Sequence, residues 1–291
     1  KNQFPHLLLS GPPGTGKTSA IMACAREMYG NNYNLMVLDI NASEERGIEI
    51  VRNKIKNFIS TKGVFFKDKS NVFKLVILDE ADAMTNDAQS MLVSIMEKYT
   101  VNVRFCLICN YIKKIIPAVQ SRCTIFKFSP LTFDDIVVKL EKIGKEMHLK
   151  YQDDGISTLI KVSNGDMRKT LNILQATSMA YDNIISSENV TNCIGYPSNT
   201  HVNDIYKMLT HDSIAKCYKK INSLITDNGY SLNDIITELS NIIINEIMQN
   251  TISHKKAIII LTHLRNIEIN LTLCPNESIQ LSGVISAFKI C

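Results

Sequence analysis

Gly11-Pro-Pro-Gly-Thr-Gly-Lys-Thr18 follows the apolar run His6-Leu-Leu-Leu-Ser10 and leads into a helical stretch from Thr18 to Met28. It matches G-x-x-x-x-G-K-[ST] in the setting that pattern requires, a strand before it and a helix after it. The glycines let backbone N–H groups turn inward around phosphate oxygens, and the helix N-terminus adds a positive dipole end. The expected phosphate-binding residues are Gly11, Pro12, Pro13, Gly14, Thr15, Gly16, Lys17, Thr18 and Ser19. Lys17 is expected to reach the β- and γ-phosphates of ATP, and the Thr18 hydroxyl to ligate Mg²⁺.

Outward from this loop, short apolar runs alternate with helical patterns. Strands are expected at Leu35 to Asp39, Phe73 to Asp79, Val103 to Cys109 and Thr124 to Phe128, with helices near Ile48 to Phe58 and Asp87 to Lys98. That alternation predicts a parallel α/β sheet flanked by helices over 1–130. Past Pro130 the period becomes helical. Phe133 to His148, Asp153 to Val162 and Arg168 to Tyr181 predict a small helical domain over 131–195. A second helical module over 196–291 carries apolar positions at Ile235, Leu239, Ile242 and Ile243, then Leu261, Leu264, Ile267 and Leu271.

The run Leu75-Val-Ile-Leu78 ends in Asp79-Glu80-Ala81-Asp82, placing carboxylates at the C-terminal edge of a strand, where ligands of parallel sheets bind. This is a Walker B pattern. Asp79 is expected to hold Mg²⁺ and Glu80 to orient or deprotonate the attacking water. Asn110 ends the next strand, where a neutral amide can bond the γ-phosphate or that water, although an Asn there also suits a plain turn. Arg168 lies at a helix start, a place unfavourable for a cation unless an anion is near. A phosphate would remove the conflict; a solvated arginine is the other reading.

At 45% hydrophobic and 21% charged residues the composition is that of a folded globular chain. The net charge of +4 is a weak sign of nucleic-acid binding. No apolar run is long enough for a bilayer, so no membrane partner is expected. The eight cysteines are scattered and suit reduced thiols of the cytosol or nucleus. Cys106 and Cys109 form a C-x-x-C inside an expected buried strand, where residues three apart face opposite ways and cannot share a metal.

These motifs in this order, with Ser121-Arg-Cys123 ahead of the last strand and Asn41-Ala-Ser-Glu-Glu-Arg-Gly47 after the second, resemble the replication factor C small subunits. The stretches Asp79 to Thr85 and Phe105 to Tyr111 are similar residue by residue, and the tail Ile258 to Phe288 is similar to one particular small subunit of that family. The resemblance implies an α/β P-loop AAA+ domain followed by an all-α lid and an all-α collar domain. It implies a nuclear, DNA-dependent ATPase that acts mainly inside a hetero-pentamer of replication factor C subunits and loads a sliding clamp (PCNA) onto primer–template DNA, without sequence preference. A catalytically minor scaffold subunit is the alternative. By the same resemblance Arg122 supplies an arginine finger to ATP on a neighbouring subunit.

Two surfaces are implied as well. Arg46 and Arg52 match positions that grip the DNA backbone, with Lys56 one helical turn beyond Arg52, although a solvated helix face accounts equally for Lys56. Val64, Phe65 and Phe66 match a segment that plugs a pocket on the clamp, while at least one of the two aromatics also suits the core. Two departures stand out. Val93-Ser94 occupies the place of an Arg-Arg pair, which weakens any charge link between DNA and ATP at that helix. The family carries a further N-terminal segment that helps hold adenine ahead of the phosphate-loop strand, so weaker nucleotide affinity is expected of the chain as it stands.

Overall fold

Leu7, Leu8 and Leu9 alternate sides of a sheet, and that alternation organises the first of two units in the computed structural model. The structure describes residues 4–43, 48–60, 73–100, 102–152, 154–273 and 276–290. In chain order the elements of the first part are β1 (Leu7–Ser10), α1 (Lys17–Tyr29), α2 (Tyr33–Met36), β2 (Val37–Asn41), α3 (Ile48–Ser60), β3 (Lys74–Asp79), α4 (Asn86–Tyr99), β4 (Val103–Cys109), α5 (Pro117–Gln120), β5 (Thr124–Lys127) and α6 (Phe133–Met147). The strands form one sheet in the order β2-β3-β4-β1-β5, parallel throughout.

Both faces are covered, which is why the strands read as continuous apolar runs. Leu7, Leu9, Leu75, Ile77, Cys106 and Ile108 pack with Ile21 and Ala25 of α1 on one face. Leu8, Val76, Leu78, Phe105, Leu107 and Cys109 pack with Ile55 of α3 and Leu92, Ile95 and Met96 of α4 on the other. Cys106 and Cys109 thus belong to opposite faces. Burial pushes the Cys109 thiol up to about 11, against Lys17, and no metal-type cluster of His, Cys, Asp or Glu occurs among the described residues. One expectation needs correction: Leu35 and Met36 close the short α2, and the second strand begins only at Val37.

Contact density divides the chain into 1–142 with 160–172, and 143–159 with 173–291. Helices α6, α7 (Gly155–Ser163) and α8 (Met167–Ala180) cross that division. In the second unit β6 (Lys150–Tyr151) and β7 (Ile184–Ile185) make a two-residue parallel bridge that no helical periodicity foretells. There follow α9 (Ser187–Ile194), α10 (Asn199–His211), α11 (Ile214–Asn228), α12 (Leu232–Met248), α13 (His254–Leu273) and α14 (Glu277–Lys289). Ile235, Leu239 and Ile243 of α12 share one core with Leu264 and Ile267 of α13 and Val284 and Ile285 of α14, while Ile242, Leu261 and Leu271 are partly buried at its margin. No described helix is long and apolar enough to cross a membrane.

One buried polar contact makes the α/β unit acid-sensitive. The backbone N–H of Phe105 donates to His6 Nδ1 at 3.1 Å, so the ring must be neutral to accept. Burial first, and then the Arg104 charge, lower the His6 pKa from 6.5 to about 4. Between those values the unfolded chain binds the extra proton, so stability falls as pH drops through this window and is fully present above it. Urea unfolding from pH 7 to 4 is expected to show a smaller acid loss for His6→Gln than for the wild type. Equal losses would remove His6 from the account.

Candidate nucleotide site

The phosphate loop runs between the end of β1 and the start of α1, and its shape depends on residues without a Cβ. Gly14 sits at φ 69°, and a Cβ there would fall 1.8 Å from Oδ1 of Asp166. Gly11, at φ 154°, would meet the Phe128 carbonyl at 2.2 Å. Close approach by other chain segments, as much as the turn itself, therefore demands glycine. Thr15 Oγ1 donates to the Pro12 carbonyl at 2.9 Å and closes the loop on itself.

Lys17 opens α1 and is 7% exposed. Its Nζ donates to the carbonyls of Gly11 at 2.8 Å and Pro12 at 2.7 Å and to Asn110 Oδ1 at 3.0 Å. Burial pulls this ammonium below its ordinary pKa, and the Asp79 carboxylate opposes that shift. Thr18 Oγ1 donates to Asp79 Oδ2 at 2.8 Å, while the other carboxylate oxygen accepts from the Glu80 N–H at 2.8 Å. Glu80 adopts a left-handed backbone, φ 53° and ψ 39°, which is unusual for a residue with a side chain and breaks β3 at this point. Strand order explains the convergence: β4 lies between β1 and β3, so Asn110, which follows β4, falls between Lys17 and Asp79.

Around these residues lies a cleft of about 320 Å³, walled by Pro13 to Ser19, Asp79, Glu80, Asn110, Met167, Arg168 and Leu171. Gly11 and Pro12 lie off its wall and hold Lys17 from behind. The N–H of Met167 donates to the Gly14 carbonyl at 3.2 Å, which brings the first turn of α8, and with it Arg168, to the loop. Arg168 makes no ion pair among the described residues. Its charge is instead felt at Lys17, so two cations face one cleft and call for an anion. Thr18 and Asp79 offer hard oxygen donors side by side, a donor set that suits Mg²⁺.

Arg122 does not line this cleft. It follows α5 on the exposed surface, where its Nε donates to Glu97 Oε1 at 3.0 Å and its Nη1 to the Ala118 carbonyl at 2.8 Å. Lys56 is half-buried on α3, the helix that also carries Arg52. Arg46, Val64, Phe65 and Phe66 lie outside the described residues. Val93 packs against the α4 face of the sheet and Ser94 is exposed.

Four residues contribute to the site without a signal in the sequence that assigns them to it. Asp82 accepts from the N–H groups of Asn110 at 3.3 Å and Tyr111 at 3.1 Å and so fixes the turn that presents Asn110. Its only signal was membership of the acidic run. Gln89 is fully buried and ties α4 to the segment after β4 through Lys114 O at 3.0 Å and the Ile116 N–H at 2.8 Å. In sequence it reads as one more polar helix residue. Met167 and Leu171, one turn apart, give the cleft an apolar wall.

Residues 7–131 match the model of the ATPase family associated with various cellular activities (AAA), and residues 197–287 match the replication factor C C-terminal domain. The chain is 46% identical to mouse replication factor C subunit 5, over 100% of this chain and 83% of that protein. It is 48% identical to the probable replication factor C subunit 5 of Caenorhabditis elegans, over 98% and 78%. With Saccharomyces cerevisiae replication factor C subunit 3 the identity is 42%, over 99% and 84%. Among solved structures, Thermotoga maritima RuvB, a Holliday junction branch migration motor, aligns with a TM-score of 0.51 at 14% identity, covering 79% of this chain and 76% of that one. That likeness speaks for the fold alone.

Proposed function

The chain belongs to the replication factor C subunits of the AAA ATPase family, and on that premise we propose that it binds and hydrolyses Mg·ATP as one subunit of a nuclear hetero-pentamer that opens the sliding clamp and loads it at primer–template junctions during replication and repair. The observation that carries this reading is the convergence of Lys17, Thr18, Asp79, Glu80 and Asn110 from three neighbouring strand ends, with Arg168 facing them. The alternative, a scaffold that turns over little ATP, leaves that convergence without a use. We divide the chain into an AAA+ domain over 1–130, a lid over 131–195 and a collar over 196–291.

In this reading Lys17 and Arg168 bind the β- and γ-phosphates, and the loop N–H groups orient them. Thr18 and Asp79 would hold Mg²⁺, which when bound neutralises phosphate charge. Glu80 takes the proton of the attacking water, and Asn110, held by Asp82 and Lys17, orients that water without competing for the proton. Arg122, turned away from its own cleft, serves the neighbour's.

Arg46, Arg52 and Lys56 are assigned to the DNA backbone, and Val64, Phe65 and Phe66 to the clamp. In the reconstituted complex, clamp and primed DNA should together stimulate ATP hydrolysis. Arg46→Ala with Arg52→Ala should weaken DNA binding equally across unrelated sequences and reduce the salt slope by about 1 to 2. Unchanged affinity and slope would take DNA off this surface.

A further inference from the structure

We propose that Glu97 is a positioning residue for Arg122, holding its guanidinium ready for the ATP of the neighbouring subunit; this rests on reading Arg122 as a finger that acts in trans. Glu97 lies in the last turn of α4, and its Oε1 accepts from Arg122 Nε at 3.0 Å and also pairs with Nη2. Ala118 O takes an N–H of Nη1 at 2.8 Å. A guanidinium has five N–H donors. These contacts use one donor on each nitrogen; Nη1 also donates to Ser121 Oγ, but at 3.4 Å and exposed to water, where a phosphoryl oxygen can displace it, and the second N–H of Nη2 has no partner among the described residues. One open donor beside one loosely held donor, on a planar fork, still permits bidentate recognition of a phosphoryl group.

Stability is a poor explanation for the pair. The side chains are 38% and 57% exposed, and pairs that open to water contribute little to stability. Orientation is another matter, because a long exposed arginine otherwise samples many rotamers, and fixing it before the partner arrives removes that entropy from the transition state. The carboxylate engages the Nε side of the fork and the Ala118 carbonyl fixes Nη1, so the side chain is gripped on this subunit while donors remain for the next.

The test uses the assembled complex, reading kcat and KM at the site that receives Arg122, nucleotide occupancy of this chain, and melting temperature. Glu97→Ala should lower that kcat by about 10-fold, since misplacement on the ångström scale costs up to about 100-fold. KM should stay within about twofold and the melting temperature should not move. Glu97→Gln, whose amide oxygen still accepts from Nε, should recover most of the rate, and it also guards against a failure of the alanine variant to assemble. In an Arg122→Ala background Glu97→Ala should add nothing. The proposal is overturned if Glu97→Ala keeps the wild-type rate while Arg122→Ala loses it, or if the two losses add. If Arg122→Ala itself leaves the neighbour's rate intact, the finger reading falls, and the role of Glu97 falls with it.

Discussion

Arg122→Ala leaves ATP bound to this chain and lowers hydrolysis on the neighbouring subunit by about 10³-fold or more, the usual worth of a finger supplied in trans. The geometry separates the two effects. Arg122 is absent from the wall of its own cleft, so removing its charge takes nothing from the phosphates bound there. Its partners are Glu97 and the Ser121 hydroxyl, both on the surface, and a main-chain carbonyl; no buried group loses its hydrogen bond, and folding should be unaffected. Arg122→Lys should recover little, because an ammonium presents a point charge in place of a planar fork. Site-resolved turnover in the assembled complex, with each subunit's nucleotide counted, checks both halves of this expectation. A silent site on this chain beside an active neighbour would reverse the assignment.

Lys17→Ala has the complementary effect: this chain's own nucleotide is lost. The ammonium is nearly buried and donates to two loop carbonyls and to Asn110, so it both shapes the loop and brings a positive charge to the phosphates. Hydrogen bonds to charged groups contribute about 1.5 to 3 kcal/mol each. Losing one or two of these to phosphate corresponds to a rise in Kd of about 10- to 10⁴-fold, at about 1.4 kcal/mol per tenfold. The truncation also frees the Asn110 amide, so any nucleotide that still binds should be hydrolysed slowly. Equilibrium binding of ATP at this subunit measures the first effect, and single-turnover hydrolysis the second. Wild-type affinity in the variant would mean that the loop does not bind phosphate.

Local pattern carried the reading where local physics fixes the outcome. A glycine-rich turn between strand and helix can be recognised without knowing its neighbours. Alternation along β4 was enough to place Cys106 and Cys109 on opposite faces, as their two clusters bear out. Strand ends of a parallel sheet gather at one edge, so Lys17, Asp79 and Asn110 could be grouped before their distances were known. What failed depended on partners far along the chain. Gln89 looks like any polar helix residue until Lys114 and Ile116 close around it, and Glu97 reveals nothing until Arg122 folds against it. Leu35 and Met36 are as apolar as a strand should be, yet a single helical turn claims them before β2. The two-residue bridge β6–β7 is too short to leave a period at all.

The most direct test of the account is to assemble the complex with this chain as wild type, Lys17→Ala or Arg122→Ala, and to measure bound nucleotide and hydrolysis at each subunit in the presence of clamp and primed DNA. The account predicts that Lys17→Ala empties this chain's site, while Arg122→Ala leaves it filled and stops hydrolysis on one neighbour. If neither substitution changes occupancy or turnover anywhere in the assembly, the chain is a scaffold and the proposed catalytic roles are wrong.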